Sequence, residues 1–156
     1  MSETRARKAD ERSREDAIHA AVRGLAEELG TKVAFVCEVP ENDPEYARTL
    51  ALSVDGDFLE NREYRVAGTP CAGVYKGGRL FHPKGVAQIY PEDRMLAEWR
   101  LESYLGVGLY DAAGRLMGHV GVMHDGTLED VSRSEARLRS VALAIGAELE
   151  RRRARA

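Results

Sequence analysis

The sequence places one long amphipathic helix near each end of the chain, and this arrangement limits the possible folds more than any other feature. In the first helix, apolar residues recur at the spacings of three and four that mark one helix face: Ile18, Ala21, Val22, Leu25, Ala26 and Leu29. Ser13 is its predicted N-cap, and Gly30 is its predicted end. Such a helix buries its apolar stripe against a second layer of structure, which the segments between the two helices must supply.

The second helix begins at a predicted capping box formed by Ser132 and Glu135 and runs towards Arg153. Its apolar stripe consists of Leu138, Val141, Ala142, Ile145 and Leu149. At 1.5 Å per residue, such a helix is roughly 33 Å long.

Extended segments lie between the two helices. Residues 32–39 form a predicted strand, because Val33, Phe35 and Cys37 share one parity and prolines follow them. Residues 49–54 form a second strand, which we expect to pair with the first. A third, weakly alternating stretch covers residues 58 to 66.

The clearest strand pattern is a hairpin formed by residues 103–110 and 116–124, whose turn contains Gly114. By parity, one face of the hairpin is apolar and suits helix packing: Leu105, Val107, Leu109, Val120 and Val122. The other face carries Tyr104, Gly106, Gly108, Tyr110, His119, Gly121 and Met123. Glycines beside aromatic residues with polar tips are typical of a cavity wall. Equally, the glycines could make room for bulky residues of the protein itself, such as Trp99 or Phe81.

The middle of the chain is irregular. Thr69 and Pro70 open a predicted short helix over residues 71–76, and two glycines close it. A further short helix opens at residues 91–93 and carries Met95, Leu96 and Trp99. We therefore predict one α+β domain over residues 15–153, built on a mostly antiparallel sheet. Residues 1–14 are interpreted as a charged leader or a helix extension.

Composition excludes several classes of function. A chain of 156 residues with 44% apolar and 31% charged residues has the balance of one globular domain. Its formal charge of -3 gives no broad positive field, so we expect no nucleic-acid partner. The longest aliphatic run, residues 33–37, is far shorter than the roughly 18 apolar residues of a membrane span. With no secretion signal and only two cysteines, the expected location is the cytoplasm.

Cys71 is the one side chain for which the sequence suggests reactivity. It lies in the first turn of a predicted helix, where unpaired N–H groups and the helix dipole favour a thiolate. A buried cysteine that acts as a small apolar residue is the more common case.

No catalytic constellation and no metal site are expected. His119 and His124 are five residues apart, so on an unbroken strand they face opposite sides of the sheet and cannot share a metal ion. The glycines after Lys76 lack the order of a phosphate-binding loop, and no nucleophile elbow occurs. We therefore expect a protein that is not an enzyme.

Four segments of the sequence resemble GAF domains of the kind attached to bacterial histidine kinases and similar regulators. They are residues 67–71 (AGTPC), 90–93 (YPED), 102–107 (ESYLGV) and 114–120 (GRLMGHV). The resemblance covers residues from about 15 to 152. It implies a six-stranded antiparallel sheet with the terminal helices on one face, a short-helix insertion and a small-molecule pocket on the other, and dimerisation through those helices.

The sequence also departs from several GAF subgroups. It lacks the Asn-Lys-Phe-Asp-Glu signature of cyclic-nucleotide GAF domains. Cys71 is followed by Ala72 and Gly73 rather than by the histidine of bilin-attaching domains. Free methionine sulfoxide reductases of this fold use more cysteines, at other spacings.

The resulting hypothesis is a small-molecule-sensing GAF domain of bacterial signal transduction, in which ligand binding is transmitted through the terminal helices. The expected ligand-binding residues are Cys71, Tyr75, Phe81, Trp99, Tyr104, His119 and Met123. The expected partners are an unidentified small molecule, a second copy of the chain and a histidine kinase or other signalling protein; no cofactor is assigned. Two alternatives stay open: a thiol sensor or reductase-like protein that uses Cys71, and an interaction module with a collapsed cavity.

Overall fold

The computed structural model describes residues 16–155. The helices are α1 (Ala17–Leu29), α2 (Cys71–Gly77), α3 (Val86–Ile89), α4 (Arg94–Glu98) and α5 (Val131–Arg155). The strands are β1 (Val33–Glu38), β2 (Tyr46–Val54), β3 (Asp57–Phe58), β4 (Glu63–Arg65), β5 (Arg79–His82), β6 (Ser103–Tyr110) and β7 (Leu116–His124). A 3-10 turn over Pro40–Asn42 joins β1 to β2.

The strands of the described residues form one antiparallel sheet in the order β3-β2-β1-β7-β6-β5, and β4 also pairs with β2. The α+β class and the sheet with long helices at both ends of the chain are confirmed. The expected six strands become seven, because the stretch predicted over residues 58–66 is split into β3 and β4. The hairpin bounds match the prediction, whereas β2 begins earlier than predicted, at Tyr46.

The N-caps of the two long helices differ from the predicted ones, whereas Gly30 ends α1 as predicted. Helix α1 has Asp16 as its N-cap, with the carboxylate accepting a hydrogen bond of 2.8 Å from the His19 N–H. The predicted cap Ser13 and the segment 1–14 lie outside the described residues. At the start of α5, the Asp130 carboxylate accepts from the Arg133 N–H at 3.0 Å, so the predicted Ser132 capping box is wrong. Glu135 instead pairs with Arg79 and Arg139.

The sheet separates two apolar cores. Helices α1 and α5 cover one face, where their stripes pack on alternate residues of the three central strands: Ala34, Val36, Leu105, Val107, Leu109, Val120 and Val122. The residues of opposite parity form the second core with the short helices: Val33, Phe35, Cys37, Leu52, Tyr104 and Met123. The parity predicted for the hairpin is therefore confirmed. None of the helices in the described residues is both long and apolar enough to cross a membrane.

Strands β1 and β7 approach closely at Gly118, which pairs with Glu38. A Cβ atom at Gly118 would overlap the carbonyl oxygen of Cys37 and lie 2.8 Å from the Cα atom of Glu38. Because both of these are backbone atoms, the strands could not give way without breaking their pairing. A side chain at this position is therefore incompatible with the centre of the sheet.

We expect Gly118→Ala to lower the free energy of unfolding by at least about 2 kcal/mol through overpacking. The matched control is Gly24→Ala on α1, where an added Cβ meets no atom within 4 Å. That change should raise the free energy of unfolding by about 0.5–1 kcal/mol, because alanine is the better helix former. Urea denaturation of the three proteins measures both values. Equal effects of the two substitutions would contradict the close strand approach.

Candidate functional site

A pocket of about 450 Å³ lies on the sheet face that α1 and α5 do not cover. Its floor is formed by sheet residues: Phe35, Cys37, Thr49, Leu52, Tyr104 and Met123. Its walls come from β4 and the segments on either side of it, from the start of α2 and from the start of α4. Pockets of this size and composition are typical of small-molecule sites.

A bulge in β2 fixes the composition of the floor. Val36 pairs with Ala51, whereas Cys37 pairs with Thr49, so Leu50 is an extra residue between them. The extra residue brings Thr49 to the same face of the sheet as Cys37. Without the bulge, the side chain opposite Cys37 would be that of Leu50.

The polar atoms in the depth of the pocket bind one another. The Tyr64 hydroxyl lies 3.5 Å from the Cys37 sulfur and 3.2 Å from the Cys71 sulfur. The Tyr104 hydroxyl donates to the Cys71 sulfur at 3.7 Å. These side chains thus form one chain of contacts, in the order Tyr104, Cys71, Tyr64 and Cys37. The pocket interior therefore offers a ligand mainly apolar surface.

Burial counts against the reactive thiolate that the sequence left open as the less common alternative for Cys71. Burial raises the pKa of the Cys71 thiol, and this effect outweighs the hydrogen bonds from Tyr64, Tyr104 and Thr69, which act in the opposite direction. Burial likewise raises the pKa of Cys37. Both cysteines are free, so neither belongs to a disulfide.

The histidines are placed apart from one another. His82 contacts the Tyr90 hydroxyl at 2.8 Å, and His124 Nδ1 accepts from the Lys32 N–H at 3.1 Å. Within residues 16–155, no three His, Cys, Asp or Glu side chains form a group that could hold a metal ion.

Three of the seven predicted ligand-binding residues line the pocket: Cys71, Tyr104 and Met123. Phe81 lies on the opposite face of the sheet from the pocket, because it pairs with Leu105 and packs against the core under α1 and α5. Trp99 is half-buried and packs on the second core without lining the pocket.

Buried His119 and half-buried Tyr75 form a separate pair beside the pocket. The Tyr75 hydroxyl lies 3.1 Å from His119 Nδ1, and the two rings meet edge to face. Burial lowers the pKa of His119 to about 3, so the imidazole is neutral at physiological pH. Its Nε2 atom has no hydrogen-bond partner within the part of the chain that the structure describes. Neither residue lines the pocket.

The space expected beneath the hairpin glycines is filled by protein. A Cβ atom at Gly106 would lie 2.8 Å from the Tyr104 hydroxyl and 2.9 Å from Val74, and one at Gly121 would lie 2.6 Å from Phe35. The cavity predicted at this position is therefore absent, and the fillers differ from the Trp99 and Phe81 considered from the sequence. The pocket lies further along the same face, over β1 and β2.

Sequence reasoning missed the residues of the pocket edge. Arg65 ends β4 and Arg94 begins α4, whereas Arg62, Glu92 and Asp93 lie in the loops beside these short elements. We refer to the five residues as the rim. On the floor, Phe35 shares the parity of Cys37, so strand alternation alone could have placed it there. The rim residues follow no periodic pattern from which their position at the pocket could have been predicted.

No protein-family model matches the sequence, and neither does any curated protein. Solved structures match its fold. The phycoerythrobilin-bound GAF domain of a cyanobacterial phytochrome is 13% identical with a TM-score of 0.63, covering 86% of each chain. The chain has the GAF fold. It spans little more than half the length, 56% and 55%, of two Stigmatella aurantiaca phytochrome chromophore-binding domains that it also matches.

Two further structures with this fold differ in function. Free methionine-R-sulfoxide reductase from Neisseria meningitidis, in complex with its substrate, is 16% identical with a TM-score of 0.69, over 89% of this chain and 79% of that one. A domain assigned to a two-component sensor histidine kinase protein of Sinorhizobium meliloti is 14% identical with a TM-score of 0.59, over 90% and 97%. At these identities the likeness establishes the fold and not the activity.

The raised pKa of Cys71 is directly measurable. In a Cys37→Ala variant, the rate of reaction with iodoacetamide should reach half its maximum at a pH above the reference value of about 8.5 for a free thiol. The same variant unfolded in urea is the control and should give that reference value. A folded midpoint below the unfolded one would contradict the dominance of burial and would restore a reactive Cys71.

Proposed function

We propose that this GAF-fold chain is a non-enzymatic sensory domain that binds a small molecule in the pocket and passes its ligand state to a signalling partner. The observation that carries this proposal is the pocket itself, which is open and mainly apolar. It lies on a face of the sheet that the protein's own side chains could otherwise have covered. Solved structures with this fold include a bilin-bound photoreceptor domain and a domain assigned to a sensor kinase, which supports the proposal.

The route of transmission runs through the central strands. Successive residues of β1 alternate between the pocket and the helices, since Phe35 and Cys37 line the pocket while Ala34 and Val36 pack under α1 and α5. Strands β6 and β7 repeat the arrangement. A ligand that favours one position of these strands would therefore shift the packing of both terminal helices. The size of that shift is limited by the difference in ligand affinity between the two states.

The proposed output partner is a histidine kinase or another signalling protein, as in two-component systems, and the proposed setting is the cytoplasm. The likeness to the Sinorhizobium meliloti domain supports this partner class. The redox alternative depended on a thiolate at Cys71, and burial keeps this thiol protonated.

A neutral fluorescent probe, N-phenyl-1-naphthylamine, tests the pocket. The wild type should bind it saturably, and Met123→Trp should weaken binding at least about tenfold by filling the pocket from its floor. Ile89→Trp is the matched control, because Ile89 is 50% exposed on α3 and does not line the pocket. Fluorescence titration measures all three. The absence of saturable binding, or an unchanged affinity in Met123→Trp, would refute the proposal.

The absorption spectrum and native mass of the purified protein report any ligand that is already bound.

We also propose that the chain forms a homodimer through α1 and α5. Leu143 on α5 is 79% exposed. A large apolar side chain is more often buried, because its contact with water is unfavourable. Leu143→Arg should therefore convert a dimer into a monomer, as measured by light scattering at high protein concentration. Ile89→Arg introduces the same charge away from the terminal helices and should leave the mass unchanged. A monomeric wild type would contradict this proposal.

A further inference from the structure

The rim of the pocket is charged, whereas its interior is not. Three guanidinium groups, those of Arg62, Arg65 and Arg94, and two carboxylates, those of Glu92 and Asp93, surround the opening. Among the described residues, none of these arginines forms a salt bridge with a carboxylate. The rim thus carries a net positive charge of one beside an apolar interior.

Arg62 is held in place by its backbone. Its N–H donates to the Thr49 hydroxyl at 2.8 Å, and its carbonyl oxygen accepts from the Thr49 N–H at 2.9 Å. Thr49 belongs to the pocket floor, so the two bonds tie the root of the Arg62 side chain to the sheet. The side chain therefore starts from a fixed point at the edge of the pocket.

The Arg62 guanidinium has a poor hydrogen-bond partner in this structure. Its Nη1 atom donates to the sulfur of Met95 at 3.4 Å, and Met95 lines the opposite wall of the pocket. A thioether is a weak acceptor, whereas a guanidinium has five N–H donors that match a carboxylate or phosphate. Arg65 differs, because it donates to the Tyr46 hydroxyl at 3.1 Å and stacks on that ring. Arg94 is exposed on the rim and directly precedes Met95, the residue whose sulfur Arg62 contacts.

The two carboxylates are less suited to hold a charged group. Asp93 is half-buried at the position that precedes α4, and burial raises its pKa, which weakens its charged form. The Glu92 side chain folds against the backbone of Gly68, where a Cβ atom would collide with it.

We propose that the ligand is a small molecule with an apolar body and one anionic group, and that Arg62 and Arg94 hold this anionic group at the rim. This inference rests on the proposed function, since it assigns a ligand class to the same pocket. The apolar body enters the interior, where the thiols and tyrosine hydroxyls already bind one another. The anionic group stays at the opening and replaces the thioether as the partner of Arg62.

Three ten-carbon compounds that displace N-phenyl-1-naphthylamine test this ligand class: decanoate, decanol and decylamine. Decanoate should displace the probe at about a tenfold lower concentration than decanol, which corresponds to one charge-assisted contact worth about 1.4 kcal/mol. In the double variant Arg62→Gln/Arg94→Gln this difference should disappear, while decanol acts as before. Arg100→Gln removes the same charge from an exposed residue that does not line the pocket, and it should preserve the difference.

The outcomes separate the two proposals. If the wild type binds the probe but the three compounds displace it equally, or decylamine displaces it best, the anionic ligand is refuted and the sensory pocket remains. A preference for decanoate that survives in the double variant also refutes the role of the two arginines. If the wild type binds no probe at all, the sensory pocket itself is refuted, and the ligand class with it.

Discussion

The pairing of β1 with β2 on one side and β7 on the other is the constraint on which the rest of this structure depends. All residues from Val33 to Cys37 are buried, and their side chains alternate between two separate cores. One core needs the terminal helices, and the other needs the short helices of the insertion. Because β1 is shared by both, a shift of this strand changes the packing on both faces at once. The absence of a side chain at Gly118 lets β7 approach closely enough to fix its position.

The sequence predicted those parts of the fold whose signals are periodic. The hairpin strands alternate up to the bulge at Met117, so their ends and most of their two faces could be assigned from Leu105 and Tyr104 onward. The stripes of α1 and α5 were equally clear, although both N-caps were misplaced: Asp16 lies three residues after the predicted Ser13, and Asp130 lies two residues before the predicted Ser132. An aspartate accepts the same kind of capping hydrogen bond as a serine. Phe81 was misassigned because the face of β5 depends on its pairing with β6, and that register is a tertiary property.

The site was less predictable than the fold, for two physical reasons. First, a missing side chain does not by itself create a cavity, because a neighbouring strand or helix can fill it, as Val74 and Phe35 do here. Second, the rim is built from loops and very short elements whose path depends on what they pack against. The protonation state of Cys71 could not be predicted from the sequence either. A helix end stabilises a charge by about 1 kcal/mol at an exposed site, whereas full burial shifts a pKa by up to 3–5 units. Burial, which the sequence could not establish, therefore decides its protonation.

In the proposed function, the division of the pocket into an apolar interior and a charged rim separates affinity from signalling. The floor residues Phe35, Tyr104 and Met123 belong to the strands that touch α1 and α5 on the other side, so the part of a ligand that reaches them can alter helix packing. Among the described residues, no hydrogen bond or salt bridge joins a rim arginine to α1 or α5, so in this proposal their attraction for the ligand does not depend on how these helices pack. An interaction of equal strength in both states raises affinity without shifting the equilibrium between them. Under the two proposals, the anionic group determines whether a ligand stays bound, and the shape of its apolar body determines which state of the sheet it favours.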